Sequence, residues 1–248
     1  MLVHPAIRRA MRRLPFVLVI ISVTAATAAE KEKPVGTSVF RWAEGEPGCT
    51  FSRDDDGKYR YSLWTGDLGI TLAVDAQELE KARRRTPPLI SFELTVRDRG
   101  SNSLDLVTSN ITLEFVKHYN DKHRMLDPDA LIAQEKNEAE ALPERTSREI
   151  RKHPERKAQK EAAMAARQED IGQMIEFLSA RSLRPTKLDA AHSAVTGWMF
   201  FATQSKWIDE LRRQEEFVLR VPAGDRMIEF PFLLPPGEGD LILRRRPE

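Results

Sequence analysis

Leu89-Ile90-Ser91-Phe92-Glu93-Leu94-Thr95-Val96-Arg97-Asp98 is the stretch that decides the fold class. Ile90, Phe92, Leu94 and Val96 recur at every second position, with Glu93 between them, as in a strand that lays one face on a core. The same period appears in Tyr59, Tyr61 and Leu63, in Ile70, Leu72 and Val74, and in Ile111, Leu113 and Phe115. Turn chemistry separates these runs at Asp56-Gly57, Thr65-Gly66, Pro87-Pro88 and Gly100-Ser101-Asn102. Half-buried antiparallel strands follow.

The period then changes. Asp127-Pro128 offers an N-cap with proline at the first helical position, and Ala130 to Leu142 holds helix formers without Gly or Pro. Pro143 and Pro154 are expected to punctuate the chain. A second, longer helix is predicted from Glu155 to about Ser182, with Ile171, Met174, Ile175 and Leu178 as its apolar stripe. Its first half, to Gln168, offers little beyond alanines and Met164, so it should project into solvent or meet a partner.

Period two returns after Pro185. Trp198 and Phe200 alternate with Met199 and Phe201, a short helical turn capped by Ser205 carries Trp207 and Leu211, and Phe217, Leu219 and Val221 line another strand. Pro222 to Asp225 reads as a turn, Ile228, Phe230 and Phe232 as a strand that Pro231 marks as an edge, and Leu241 and Leu243 close the chain behind Pro235-Pro236-Gly237. Strands on both sides of a helical block predict a mainly β fold with a helical insertion: an antiparallel β-sandwich interrupted by a two-helix hairpin. The expected division is 37–125 and 191–248 for the two parts of the sandwich and 126–190 for the insertion.

The order Ile70 to Asp75, Leu89 to Asp98, Ile111 to Val116, Gly197-Trp198-Met199-Phe200-Phe201 and a late hairpin resembles the telokin-like, immunoglobulin-like domains of exported bacterial proteins. The resemblance covers the β-rich flanks, and the long helical insertion departs from it. It implies an immunoglobulin-like build and an accessory or ligand-presenting role. It transfers no functional residue.

Arg8, Arg9, Arg12 and Arg13 precede the apolar run Leu14 to Ala29, which ends in Ala26-Thr27-Ala28-Ala29. Basic start, short apolar middle and small-residue end are the parts of a secretory signal peptide, expected over 1–29, with a flexible linker over 30–36. The rival reading is a retained anchor through residues 14–29. Sixteen residues span about 24 Å as a helix, short of a hydrocarbon core of about 30 Å, which favours cleavage. Arg12-Arg13 fits a twin-arginine signal poorly, because the apolar residue expected behind the pair is displaced. The expected address is periplasmic or extracellular.

The whole chain carries 39 Lys+Arg and 38 Asp+Glu. Without the four arginines of residues 1–29, the balance is 35 minus 38, or −3. Such a surface gives no general reason to expect nucleic acid, and a membrane partner only if the N-terminal segment is retained. Arg83-Arg84-Arg85 and Arg244-Arg245-Arg246 read as solvated loop and tail. Cys49 is the one cysteine, so no intrachain disulfide forms, and its sequence context reads as a partly buried packing residue.

The glycines form no phosphate-cradling loop, and G-x-S-x-G, H-E-x-x-H and C-x-x-C patterns are missing, so no cofactor is expected. Asp54, Asp56 and Gly57 have partial calcium-loop spacing, but Leu63 stands where a bidentate glutamate belongs, and an Asp-Gly turn explains them. Glu114, His118 and His123 are the metal-ligand candidates, with Asp127 or Asp129 as completing groups. Of Trp42, Trp64, Trp198 and Trp207, the last is the best surface candidate, beside the charged run Lys206 to Gln214. Trp207, Met164 and Ile171 are the candidate partner contacts. The expected function is that of an exported, noncatalytic binding or structural module whose insertion meets an envelope or extracellular protein. The alternative is a secreted hydrolase or metal-dependent enzyme with a loop-assembled site.

Overall fold

A computed structural model describes residues 38–75, 89–203 and 214–234. The signal and linker segments, the Ser205–Leu211 turn with Trp207, both arginine triplets, the Pro87-Pro88 turn and the C-terminal segment lie outside the described residues. Among the described residues, no helix is long and apolar enough to cross a membrane.

The chain runs β1 (Ser38–Arg41), β2 (Cys49–Arg53), β3 (Lys58–Thr65), β4 (Leu68–Asp75), β5 (Leu89–Asp98), β6 (Leu104–Leu106), β7 (Thr112–Phe115) and β8 (Asp121–Arg124). Then come α1 (Pro128–Lys152), α2 (Lys157–Arg181), β9 (Thr186–Leu188), β10 (Ala194–Ala202), β11 (Glu215–Ala223) and β12 (Arg226–Leu234). The described residues are mainly β, with largely antiparallel sheets and two α-helices. One five-stranded sheet has the order β1-β12-β11-β7-β8, the other β10-β5-β4-β3-β2, and β6 pairs β9 in a small third sheet. The β1-β12 pair is parallel, with Ser38 opposite Arg226.

The period-two sets do what their spacing predicts. Ile70, Leu72, Val74, Phe92, Leu94 and Val96 of one sheet join Leu113, Phe217, Leu219, Ile228, Phe230 and Phe232 of the other in one buried cluster. Phe92 meets Phe232 edge-on across the two sheets at 5.4 Å, and Phe217 stacks on Phe232 at 5.4 Å within one of them. Such burial supplies roughly 1.5–3 kcal/mol per large side chain against leaving it in water.

β10 is buried on both faces, which alternation alone does not reveal. Met199 and Phe201 enter the intersheet core, while Trp198 and Phe200 form a second cluster with Leu89, Leu131 and Leu178, so the foot of the helical hairpin covers them. Phe177 packs on both rings, 5.7 Å from Trp198 and 6.3 Å from Phe200. The chain returning from α2 passes directly over β10, where Leu183 N–H donates to Trp198 O at 2.9 Å. Gly197 makes room, because a Cβ there would lie 2.6 Å from the Leu183 backbone. Gly197→Ala should therefore destabilise the fold by about 1–3 kcal/mol in chemical denaturation. Gly172→Ala, a substitution in α2 with nothing within 4 Å of the new Cβ, should stabilise by up to about 1 kcal/mol. Equal effects at the two positions would refute the close-approach account.

Two expectations change. Pro143 does not end the first helix: α1 continues to Lys152 and carries Pro143 in its interior. The proline removes one backbone hydrogen bond, a cost of about 3 kcal/mol in isolation, but it sits on the exposed side. Packing against α2 and ion pairs from Glu138 to Arg145 and from Glu144 to Arg148 carry the helix past it. Pro154 does interrupt, in a 3₁₀ turn between the helices. Nor is β12 the outer strand along its whole length, since β1 pairs Arg226 to Glu229. Pro231 lies just beyond, where β1 has ended. Asp127 caps α1 as expected, its carboxylate accepting from Asp129 N–H at 3.1 Å.

Candidate functional site

Strand register sends Glu114 to the outer face of its sheet, opposite Lys122. There it belongs to a row of alternating charge that takes one residue from each strand: Lys122, Glu114, Arg220, Glu229, Arg41. Lys122 Nζ lies 3.8 Å from Glu114, Arg220 donates to Glu114 through one guanidinium nitrogen and to Glu229 through Nε at 2.8 Å, and Arg41 donates to Glu229 at 2.8 Å. Burial works against the Arg220 charge, but the hydrogen bonds to Glu114 and Glu229 outweigh it and raise its pKa. Burial likewise pushes the Glu229 carboxyl up, and the bonds and charges of Arg220 and Arg41 more than offset this, holding it below the usual carboxylate range.

The row separates the metal-ligand candidates. Glu114 is taken by two cations on the outer face. His123 sits opposite Leu113, with Nε2 3.1 Å from Asp121 and its ring on Phe115, and His118 Nε2 lies 3.5 Å from Glu215. Asp129 is held by both guanidinium nitrogens of Arg184, at 2.8 and 2.9 Å, an arrangement that lowers its pKa and ties the start of α1 to the chain leaving α2. Among the described residues, no group of three or more His, Cys, Asp or Glu side chains is placed to hold a metal ion.

The acidic loop is a hairpin turn. Gly57 takes φ +77°, Asp56 accepts from Lys58 N–H, and Arg60 reaches both Asp54 and Asp56. The hydrogen bond from Arg60, then that from Lys58 N–H, hold the Asp56 carboxyl well below its ordinary value. The charges that would bind a cation are satisfied by one from the same hairpin.

Among the described residues, two surfaces stand out. The first is the hairpin arm. At 1.5 Å per residue each 25-residue helix is about 37 Å long. Burial within the pair is confined to the foot, at Pro128 and Leu131 of α1 and Ile171 and Leu178 of α2. Ile171 is 1% exposed, so it packs the foot and presents nothing to a partner. Met164 is half-buried farther out. Around it Ala158, Ala162, Ala163, Ala165 and Ala166 are exposed, as the weak apolar stripe of α2 predicts. Arg167 and Glu135 approach across the pair at 3.9 Å, and burial raises the Glu135 pKa.

The second surface is an aromatic cleft of about 210 Å³ at the side of the two sheets where β1 and β2 are the outermost strands. Trp42, Phe51, Tyr61 and Phe232 line it, with Glu44, Pro231 and Leu233. Trp42 stands edge-on to Tyr61 at 5.1 Å and donates its indole N–H to Thr50 O at 3.2 Å. Cys49 is half-buried beside it and accepts from Ala43 N–H at 3.5 Å, the packing role expected of it. Sequence reasoning missed this cleft because Trp42 lies in an irregular connection and Phe232 in a distant strand. The remaining described tryptophans are structural: Trp198 is buried under the hairpin with Lys58 over its ring, and Trp64 lies flat against Gly69 beneath Arg99. Compared with known proteins, the chain matches no family model, no curated protein and no solved structure.

Proposed function

We propose that this chain is an exported, noncatalytic binding module of immunoglobulin-like build, whose two-helix arm engages a protein of the cell envelope or the extracellular space. The observation that carries the reading is the arm itself: two 25-residue helices that bury side chains only at the foot. An isolated helix pair with so small an apolar seam gains little stability of its own, so fifty ordered residues extending from the sheets are better explained by a surface they contact.

Strand order supports the immunoglobulin-like part. The first strand pairs parallel with the last, β7-β11-β12 make an antiparallel series, and β5 pairs β10 in the other sheet. The chain crosses between sheets from β5 to β7 and from β10 to β11, as in Greek-key sandwiches. The helical arm occupies the crossing from β8 to β10.

The test is a shortened arm. Removing 143–159 and joining Leu142 to Lys160 through a short Gly-Asn turn keeps the Glu135–Arg167 pair and the foot that covers Trp198. Cross-linking in native envelope and culture fractions should recover one partner with the full chain and at least tenfold less with the shortened one. No specific partner, or equal recovery from both, would overturn the reading.

A further inference from the structure

From the way charge is laid along the helical arm, we infer that the arm's partner is a second copy of this chain, its arm packed alongside in the opposite direction, tip against foot. The inference rests on the reading of the arm as a contact surface. The outer half of the arm, 143–167, holds eight Lys and Arg against four Glu, a net of +4. The inner half, 128–142 with 168–181, holds two Lys and Arg against seven Asp and Glu, a net of −5. Arg184 from below the arm takes up one of those acids, Asp129, so the two halves carry matching charge of opposite sign.

Helix dipoles do not account for this polarity. A dipole favours acids at a helix N-terminus and bases at its C-terminus, and α1 complies, with Asp129 in its first turn and Arg151 and Lys152 in its last. α2 runs back and has no acid in its first turn; it opens with Lys157 and Lys160, and Glu169, Asp170 and Glu176 fall in its second half. Charge therefore follows position along the arm, and the hairpin sets like beside like. Among the described residues, Glu135–Arg167 at 3.9 Å is the only ion pair that crosses between the helices; Glu138–Arg145, Glu144–Arg148 and Lys157–Glu161 each lie within one. A second arm laid antiparallel supplies at both ends the sign that the first lacks, and a two-fold axis repeats the match. Counted from the foot, Arg148 stands twenty residues up α1 from Pro128 and Glu176 five residues up α2 from Arg181. In a 25-residue arm those levels coincide when the copies run opposite ways, and so do the levels of Arg167 and Asp170. Exposed alanines around Met164 let a second helix pair come close. One face of the arm, about 37 Å by 20 Å, offers about 700 Å² per copy, near the roughly 800 Å² per partner of a standard interface.

Sedimentation equilibrium of the purified chain and two charge-reversed variants tests the assignment, with every substitution at an exposed position. The tip variant carries Arg148→Glu, Arg151→Glu, Lys152→Glu and Lys157→Glu, which turns the outer half from +4 to −4. The foot variant carries Glu140→Lys, Glu169→Lys, Asp170→Lys and Glu176→Lys, which turns the inner half from −5 to +3. The wild-type chain should dimerise, and its affinity should fall roughly tenfold or more between low salt and about 0.5 M salt. Each variant alone should bind itself at least roughly tenfold more weakly than wild type does. Mixed one to one, the variants should pair with each other at close to wild-type strength, a rescue that misfolded chains would not show. A chain that stays monomeric, or a mixture no tighter than either variant alone, would overturn the inference. If a monomeric chain still yields a cross-linked partner that is lost on shortening the arm, the arm remains a contact surface, but for a different protein. Pairing of the tip variant with wild type in preference to the foot variant would also overturn the inference, by assigning parallel arms.

Discussion

Phe92→Ala lowers the unfolding free energy by about 3–5 kcal/mol. Phe92 is fully buried and sits where the sheets meet, its ring 6.2 Å from Phe201 on its own sheet and 5.4 Å from Phe232 on the other. Truncation removes the transfer free energy of the ring and leaves a void that two pleated sheets close poorly, because moving one strand moves its hydrogen-bonded neighbours. At about 2–4 °C per kcal/mol for a chain of this size, the midpoint should fall by roughly 6–20 °C. Phe51→Ala, at the half-buried rim of the cleft, should lose clearly less. A loss under about 1 kcal/mol at Phe92 would mean that the two sheets do not share this core.

Arg220→Met breaks the charge row at its centre and should cost about 2–4 kcal/mol at pH 7, the penalty for unpairing a buried ion, reduced because Arg220 retains some solvent contact. Methionine keeps most of the stem, so packing is largely conserved. Glu114 and Glu229 are left facing one another across a neutral side chain, with only Lys122 and Arg41 at the outer ends. The pH dependence follows from Glu229, whose carboxyl is held below its ordinary value in the intact row. A depressed carboxyl stabilises the fold above its unfolded pKa and loses that contribution as pH falls through the folded one. The gap between wild type and variant should therefore narrow on acidification below about pH 4.5. Adding Glu114→Gln to the variant should recover part of the loss by removing one of the facing charges. A gap that is the same at pH 3 and pH 7 would assign the effect to packing and refute the charge account.

The intersheet core was legible because its residues announce themselves locally. Ile90, Phe92, Leu94 and Val96 alternate within one segment, and so do the partners they meet. The N-cap at Asp127 was legible for the same reason. The charge row was not, since Arg41, Glu114, Lys122, Arg220 and Glu229 are brought together by register alone and each reads separately as an ordinary outward-facing strand residue. Glu114, His118 and His123 illustrate the converse: near neighbours in sequence, they are dispersed because a strand sends alternate residues to opposite faces and a turn follows. Trp198 and Phe200 belonged to a second layer that no period-two argument could supply, because what covers them comes from Leu131 and Leu178, far along the chain. Pro143 misled because a helix-breaking cost was weighed without the helix packed alongside.

The parallel pairing of β1 with β12 joins Ser38 to Arg226, residues 188 positions apart. Of the described strands, the first to be made, β1, has no partner until the last, β12, follows. The β1–β12 ladder therefore closes over a long chain separation, and Val39 and Phe40 stay exposed even once it has formed. Pairing over so long a separation carries a large loop-closure cost and should make this ladder a slow step in completing its sheet.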